Sequence, residues 1–157
     1  MSSTNSEGAD GLARIAPLLP PPPRPAANYI PVREAGGLLY VAGQTPHVDG
    51  RLRLRGIVGD GVAPEDARLL ARDAALGAVS ALRAHLGDLR EVAGIVSVTG
   101  YVACTPAFAR QPWVIDGASE LFIEAFGAAG RHARAAVGVA ALPDGAPVEV
   151  SVIALRR

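Results

Sequence analysis

Two charged residues near the C-terminus have side chains suited to chemistry, Arg134 and Glu149, which stand fifteen positions apart. A guanidinium is a planar fork that grips a carboxylate with two hydrogen bonds. A glutamate on a sheet face that a second surface covers costs free energy unless it is paired or used. Each has a plain alternative, since an arginine at a strand start is commonly solvated and a covered glutamate can be an interface ion pair. If the last two strands form a hairpin turning near Asp144, Arg134 faces Ala154 and Glu149 faces Val139. That offset is about 16 Å at roughly 3.3 Å per residue. One chain then keeps the two apart, and a shared site needs a second subunit or another strand order.

Few other residues compete for a chemical role. His47, His85 and His132 lack metal-ligand spacing and a companion cluster, so no metal site is expected. His85 reads as a structural histidine on a helix, and His132 lies two residues before Arg134, able to line the same cleft. Cys104, the one cysteine, has no basic neighbour in sequence and reads as a small buried residue. There is no phosphate-binding glycine loop, Gly-x-Ser-x-Gly elbow or kinase-like signature. Gly43-Gln44-Thr45-Pro46 breaks a strand and exposes backbone amides, as useful beside a ligand as in an ordinary turn.

The elements that must position these groups follow from apolar periodicity. A strand from Tyr29, a Gly36-Gly37 turn and a strand at Leu38–Ala42 suit a hairpin, and His47–Arg55 reads as a short edge strand. Pro64 opens a helix, Glu65 and Asp66 suit its positive end, and Gly87 closes it. Ala67, Leu70, Ala71, Ala74, Ala78, Ala81 and Leu82 share its apolar face, with Arg68, Arg72, Asp73, Ser80 and Arg83 opposite. Gly94–Cys104 alternates as a half-buried strand, and a second helix runs from Pro112 to Gly127 on a stripe of Ile115, Ala118, Phe122 and Ala125. Strands at 134–140 and 148–154 follow. The strand-helix-strand unit from 94 to 140 places its two strands parallel. Two helices on one sheet face make a two-layer α/β sandwich whose other face calls for self-association.

The chain has 157 residues, half of them apolar, with 15 basic and 15 acidic residues. That is one domain's worth of core, and no net charge draws it to nucleic acid or an anionic membrane surface. A lone cysteine and an N-terminus without a signal-peptide pattern fit a reducing cytoplasm, and no apolar run reaches membrane-spanning length. Residues 1–27, with Pro20-Pro21-Pro22-Pro23 flanked by Pro17 and Pro25, read as a disordered or surface-draped tail. The domain proper is expected at 28–157.

Leu38-Leu39-Tyr40-Val41-Ala42-Gly43-Gln44-Thr45-Pro46, the helix from Pro64, Ala133-Arg134-Ala135-Ala136-Val137, and Leu142-Pro143 followed by Val148-Glu149-Val150 together resemble the RidA family. These are reactive-intermediate deaminases also described as L-PSP-like endoribonucleases, and the likeness covers residues 29–157. It implies an α+β sandwich of the RidA/chorismate mutase-like kind, with two helices on one face of a mixed sheet of about six strands. It also implies a homotrimer with clefts between subunits. The implied reaction is hydrolysis of small 2-imino or 2-enamino acids to 2-oxo acids and ammonia, without metal or cofactor. By the same resemblance, Arg134 holds the substrate carboxylate, assisted by the backbone N–H of Ala136. Glu149 handles water and protons, Tyr29 stands at the cleft wall, and Gly43, Gln44 and Asp116 line the substrate site.

The pattern departs from many active deaminases in three places. Ala42 stands where they have Ser, Ala136 where they often have Cys, and Asp116 or Glu120 near their helix asparagine. These substitutions keep two alternatives open. One is a repurposed enzyme, a tautomerase, hydrolase or condensing enzyme on a biosynthetic intermediate. The other is a non-catalytic, carboxylate-binding or chaperone-like trimer. The neutral charge and the lack of an aromatic-basic surface pattern argue against a nucleic-acid partner.

Overall fold

The computed structural model describes residues 3–157. In chain order they form α1 (Ser3–Ile15), β1 (Val32–Ala35), β2 (Leu38–Gln44), β3 (His47–Val48), β4 (Arg51–Leu52), β5 (Ile57–Val58) and β6 (Gly61–Val62). Then come α2 (Pro64–Leu86), β7 (Val92–Ala103), α3 (Gln111–Phe126), β8 (Ala133–Val139) and β9 (Val148–Arg156). Both long helices begin where first-turn prolines set the backbone dihedral, and both end at glycines with positive φ, Gly87 and Gly127.

The main sheet has five strands in the order β1-β2-β9-β7-β8, one fewer than the expected count of about six. The segment read as an edge strand at His47–Arg55 supplies no strand to it. It folds back as the β3–β4 hairpin, because Asp49 and Gly50 adopt positive φ and turn the chain after only two residues. β7 and β8 are parallel, as the intervening helix requires, and every other pairing in the main sheet is antiparallel.

The hairpin expected between the last two strands does not form. β9 inserts between β2 and β7, leaving β8 as an edge strand. The sequence carries the reason. Val148, Val150, Val152 and Ala154 are all buried and need a central position, whereas the small residues of β8 leave much of its surface exposed.

α2 and α3 pack side by side on the core face of the sheet, over Leu39, Val41, Val98, Val102, Val150 and Val152. The predicted apolar stripe of α2 is buried, and so are Ala75, Leu76, Gly77, Val79 and Ser80. This helix is enclosed on more than one side because the proline-rich segment crosses it, and buried Ser80 donates to the Pro20 carbonyl at 2.6 Å.

The expectation of an unstructured or merely draped segment before residue 28 is corrected at its N-terminal end. Residues 3–15 form α1, a third helix packed on α3, with Ile15 fully buried. A side chain at Gly11 would collide with the carbonyl oxygens of Glu124 and Ala125, so the glycine lets the two helix backbones close up. Proline content hides this helix from a compositional reading, because all the prolines lie after its last turn. The opposite sheet face has no helical cover among the described residues and exposes Tyr40, Val137 and Leu155.

Candidate functional site

Arg134 stands at the start of the edge strand, level with Val98 on β7, so its side chain leaves the sheet toward the helix layer. There it meets one face of α3. Nη1 donates to Asp116 Oδ1 at 2.8 Å and Ser119 Oγ at 3.0 Å, and Nη2 donates to the Pro112 carbonyl at 3.2 Å. Positions 112, 116 and 119 are spaced four and three apart, the interval that aligns residues along one side of a helix. The guanidinium is fixed and mostly covered, with the side chain 22% exposed. Among the described residues its Nε–H has no acceptor, which leaves an edge of the fork for a ligand.

Helix geometry gives Asp116 and Glu120 different principal partners. Asp116 faces Arg134, while Glu120 pairs with Arg68 of α2 at 2.6 Å. Asp116 also approaches Arg68, with Oδ2 at 3.7 Å from Nη1. Arg68 donates to the Trp113 carbonyl and lies over the Trp113 ring at 4.7 Å, and Arg110 stacks on the same ring at 4.5 Å. Ala136, two residues beyond Arg134 on the same side of β8, packs against the core.

Glu149 lies on the other face of the sheet. It is level with Tyr101 on β7, which is level with Val137 on β8. Arg134 is three residues back along β8 and two strands away. The separation is therefore roughly 10 Å along the strands and 10 Å across them, on opposite faces. The expected separation within one chain holds, but the inserted β9 sets it, and the hairpin offset does not apply.

The Glu149 carboxyl is half-buried and accepts no side-chain hydrogen bond among the described residues; burial raises its pKa above the ordinary carboxylate value. It rests over Gly43, where a Cβ would overlap Oε1. Strand β2 slips register between Val41 and Gln44, and Gln44 turns inward, buried, with Nε2 donating to the Ala42 carbonyl at 2.9 Å. The bulge is what presents Gly43 to Glu149. Gly43 and Gln44 also line a cavity of about 440 Å³ together with Tyr29, Thr45, His47 and the prolines at 20–23. Tyr29 is 47% exposed, and its hydroxyl accepts from the Ala26 N–H at 3.4 Å.

The seven residues singled out in the sequence thus fall into two groups. Arg134, Ala136 and Asp116 gather at the sheet edge beside α3, while Tyr29, Gly43, Gln44 and Glu149 gather around the β2 bulge. Sequence reasoning missed Ser119, although its position three after Asp116 on one helix face was a usable signal. It also placed Ser80 opposite the apolar stripe of α2, where the structure buries it. Among the described residues no group of three or more His, Cys, Asp and Glu is placed to hold a metal ion, and no helix is long and apolar enough to cross a membrane.

Comparison with known proteins bears on the whole arrangement. Protein TCP17 of Trypanosoma cruzi is 40% identical over 146 residues, covering 92% of this chain and 91% of its own. The crystal structure of Atu1372 from Agrobacterium tumefaciens, described as of unknown function, superposes with a TM-score of 0.88 at 37% identity, covering 98% of this chain and 97% of that one. The yjgF gene product of E. coli aligns with a TM-score of 0.60 at 26% identity, over 87% of this chain and 94% of its own. The family model described as "YjgF/chorismate_mutase-like, putative endoribonuclease" matches residues 15–154, from the last residue of α1 to the core end of β9. The chain belongs to the YjgF/RidA family.

Proposed function

We propose that the protein hydrolyses small 2-imino or 2-enamino acids, of the 2-aminoacrylate and 2-iminopropionate type, to 2-oxo acids and ammonia. The observation that carries this reading is the contrast between a fixed, mostly covered Arg134 and an unpartnered, half-buried Glu149. Carboxylate anchoring and proton transfer need those two properties respectively. Arg134 receives the substrate carboxylate on the guanidinium edge left by Asp116, Ser119 and Pro112, with the Ala136 N–H assisting. Glu149 orients the attacking water and passes a proton to the departing nitrogen. In the single chain burial raises its pKa above the ordinary carboxylate value, the direction that favours proton exchange with a substrate. Tyr29 supplies a hydrogen bond at the cavity wall beside Gly43 and Gln44.

Because the two groups lie on opposite faces of one sheet, the working site joins Arg134 of one chain to Glu149 of another in a homotrimer. The exposed sheet face with Tyr40, Val137 and Leu155 supports that assembly. The chemistry calls for no metal or organic cofactor, since an imine carbon is already electrophilic, and it takes place in the cytoplasm.

The test generates 2-aminoacrylate or 2-iminobutyrate with a serine/threonine dehydratase and follows imine decay. Arg134→Ala and Glu149→Ala are each expected to abolish the acceleration, and unchanged decay with Arg134→Ala would sink the reading. One observation favours a second reading, a repurposed hydrolase, tautomerase or condensing enzyme. Asp116 already occupies part of the guanidinium that a simple imino acid would use. No turnover of any imine, with retained carboxylate binding, would support that alternative or a purely binding role.

A further inference from the structure

The hydrogen-bond chain through Arg134 continues past Ser119. Ser119 Oγ lies 3.0 Å from His132 Nε2, and His132 Nδ1 lies 2.7 Å from the Gly130 carbonyl oxygen. A carbonyl can only accept, so Nδ1 carries the ring proton and Nε2 of the neutral ring presents its lone pair to the Ser119 hydroxyl. Oγ in turn accepts from Arg134 Nη1. Hydroxyl, imidazole and a third group that fixes the imidazole stand in the order that activates a serine.

We infer that Ser119 and His132 form a nucleophile and base pair that takes acyl groups from small carboxylate-bearing esters. Three further observations agree with it. The histidine is half-buried with its ring edge against Phe122 at 5.8 Å, and burial, with Arg134 adding to it, holds its pKa below the ordinary imidazole value. The charged groups around it are Arg134 on β8 and, across that guanidinium, Asp116 on α3; Arg131 precedes it in the chain. β8 is an edge strand, so His132, one residue before it, lies at the margin of the sheet. Within one chain the pair also touches Arg134 through Ser119, whereas Glu149 is on the opposite face.

In the reaction, Ser119 Oγ bonds to the ester carbonyl carbon as its proton passes to His132 Nε2. The bond from that carbon to the leaving oxygen breaks, and the departing alcohol takes the proton from His132. A water molecule then repeats the sequence: its oxygen bonds to the acyl carbon, its proton goes to His132, and the carbon–Oγ bond breaks. Ser119 recovers its proton and a carboxylic acid leaves. The Arg134 Nη1–H that donates to Oγ stabilises the negative charge developing there, and the free edge of the guanidinium selects esters that carry a second carboxylate.

The probes are mono-p-nitrophenyl succinate and p-nitrophenyl acetate, with intact-protein and peptide mass spectrometry alongside nitrophenolate release. The expected result is a burst of about one nitrophenolate per chain with the acyl group on Ser119. The succinate half-ester should react faster than the acetate, and the rate should rise with pH through a single step below the usual imidazole range. Ser119→Ala should remove the adduct, and His132→Gln should slow its formation by about 10²- to 10⁴-fold. Ser119→Cys should restore acylation as a thioester, which separates loss of the nucleophile from loss of the fold. No adduct on the native protein, an adduct elsewhere, or full reactivity in folded Ser119→Ala would overturn the inference. Imine decay measured on the same preparations keeps it distinct from the proposed deaminase activity, since either can fail while the other stands.

Discussion

At the sheet edge Arg134 has three acceptors within 3.2 Å, while around the β2 bulge Glu149 has no side-chain partner among the described residues. The first group is rigid before any ligand arrives. Its guanidinium orientation is decided by three positions on one helix face, so little ordering remains to be done on binding. The second group is unfinished. Its carboxyl sits against a glycine, pushed toward its neutral form by burial, a state that a lone chain tolerates at some cost. Under the proposed function the first half recognises the substrate carboxylate, the second handles protons, and assembly completes the second half.

The largest effect comes from separating the halves. Arg134→Ala and Glu149→Gln chains are each expected to lose imine turnover, by about 10²- to 10⁴-fold for Arg134 if two charged hydrogen bonds of roughly 1.5–3 kcal/mol each are lost. Co-refolding the two inactive chains in equal amounts should restore activity to about a quarter of the native level, because that share of sites in a cyclic assembly draws both intact residues from neighbouring chains. Recovery of nothing would place both residues of a site in one chain and break the comparison. Gly43→Ala comes next. The new methyl overlaps the mobile end of the Glu149 side chain rather than backbone, so melting temperature should shift little while turnover falls on the order of tenfold. A large loss of stability would mean that Gly43 serves the fold instead.

Asp116→Asn sharpens the other half. The amide keeps an oxygen for Arg134 Nη1 but gives up the negative charge that competes with an incoming carboxylate. KM should fall by a factor of up to about five, in line with roughly 0.2–1 kcal/mol for a partly exposed ion pair, with kcat nearly unchanged. A drop in kcat at constant KM would show instead that the charge holds the guanidinium in place.

How much of this was legible depended on whether the information was local. The limits of α2 were readable because Pro64 and Gly87 act on the backbone at their own positions. The face assignment of Glu149 was readable because alternation needs only its neighbours in β9. The strand order was not, since whether β9 pairs with β8 or enters between β2 and β7 is decided by contacts among strands distant in sequence. The same holds for Ser80, polar and opposite the apolar stripe, yet buried because a distant proline segment lies across it. α1 was missed for a compositional reason: a tail rich in Pro and Gly masked a short helix that gains its stability from docking on α3. At the site, Arg134 and Glu149 were visible by residue type. Ser119, three after Asp116, and His132, two before Arg134, carried local signals, but the bonds that link them depend on how α3 is set against β8.

The smallest effect carries a sign that tests the unfinished character of the Glu149 half. A carboxyl whose folded-state pKa lies above its unfolded value lowers stability once both states are ionised, and contributes nothing when both are protonated. Glu149→Gln should therefore melt slightly higher than the native protein at pH 7. The gap should shrink as pH falls through the raised folded value and vanish below the ordinary carboxylate range near 4.5. Thermal melts across that window read the difference directly, provided they are made in solution dilute enough to dissociate the chains. In the proposed assembly the sign becomes diagnostic. If a neighbouring chain brings a cation to Glu149, the folded pKa drops, and the substitution becomes destabilising at pH 7 in assembled samples alone. A higher melting point at every concentration would mean that the carboxyl stays unpaired in the assembly and free to exchange protons with substrate. A lower one in dilute samples would show that Glu149 is already paired within its own chain, and the contrast with Arg134 would collapse.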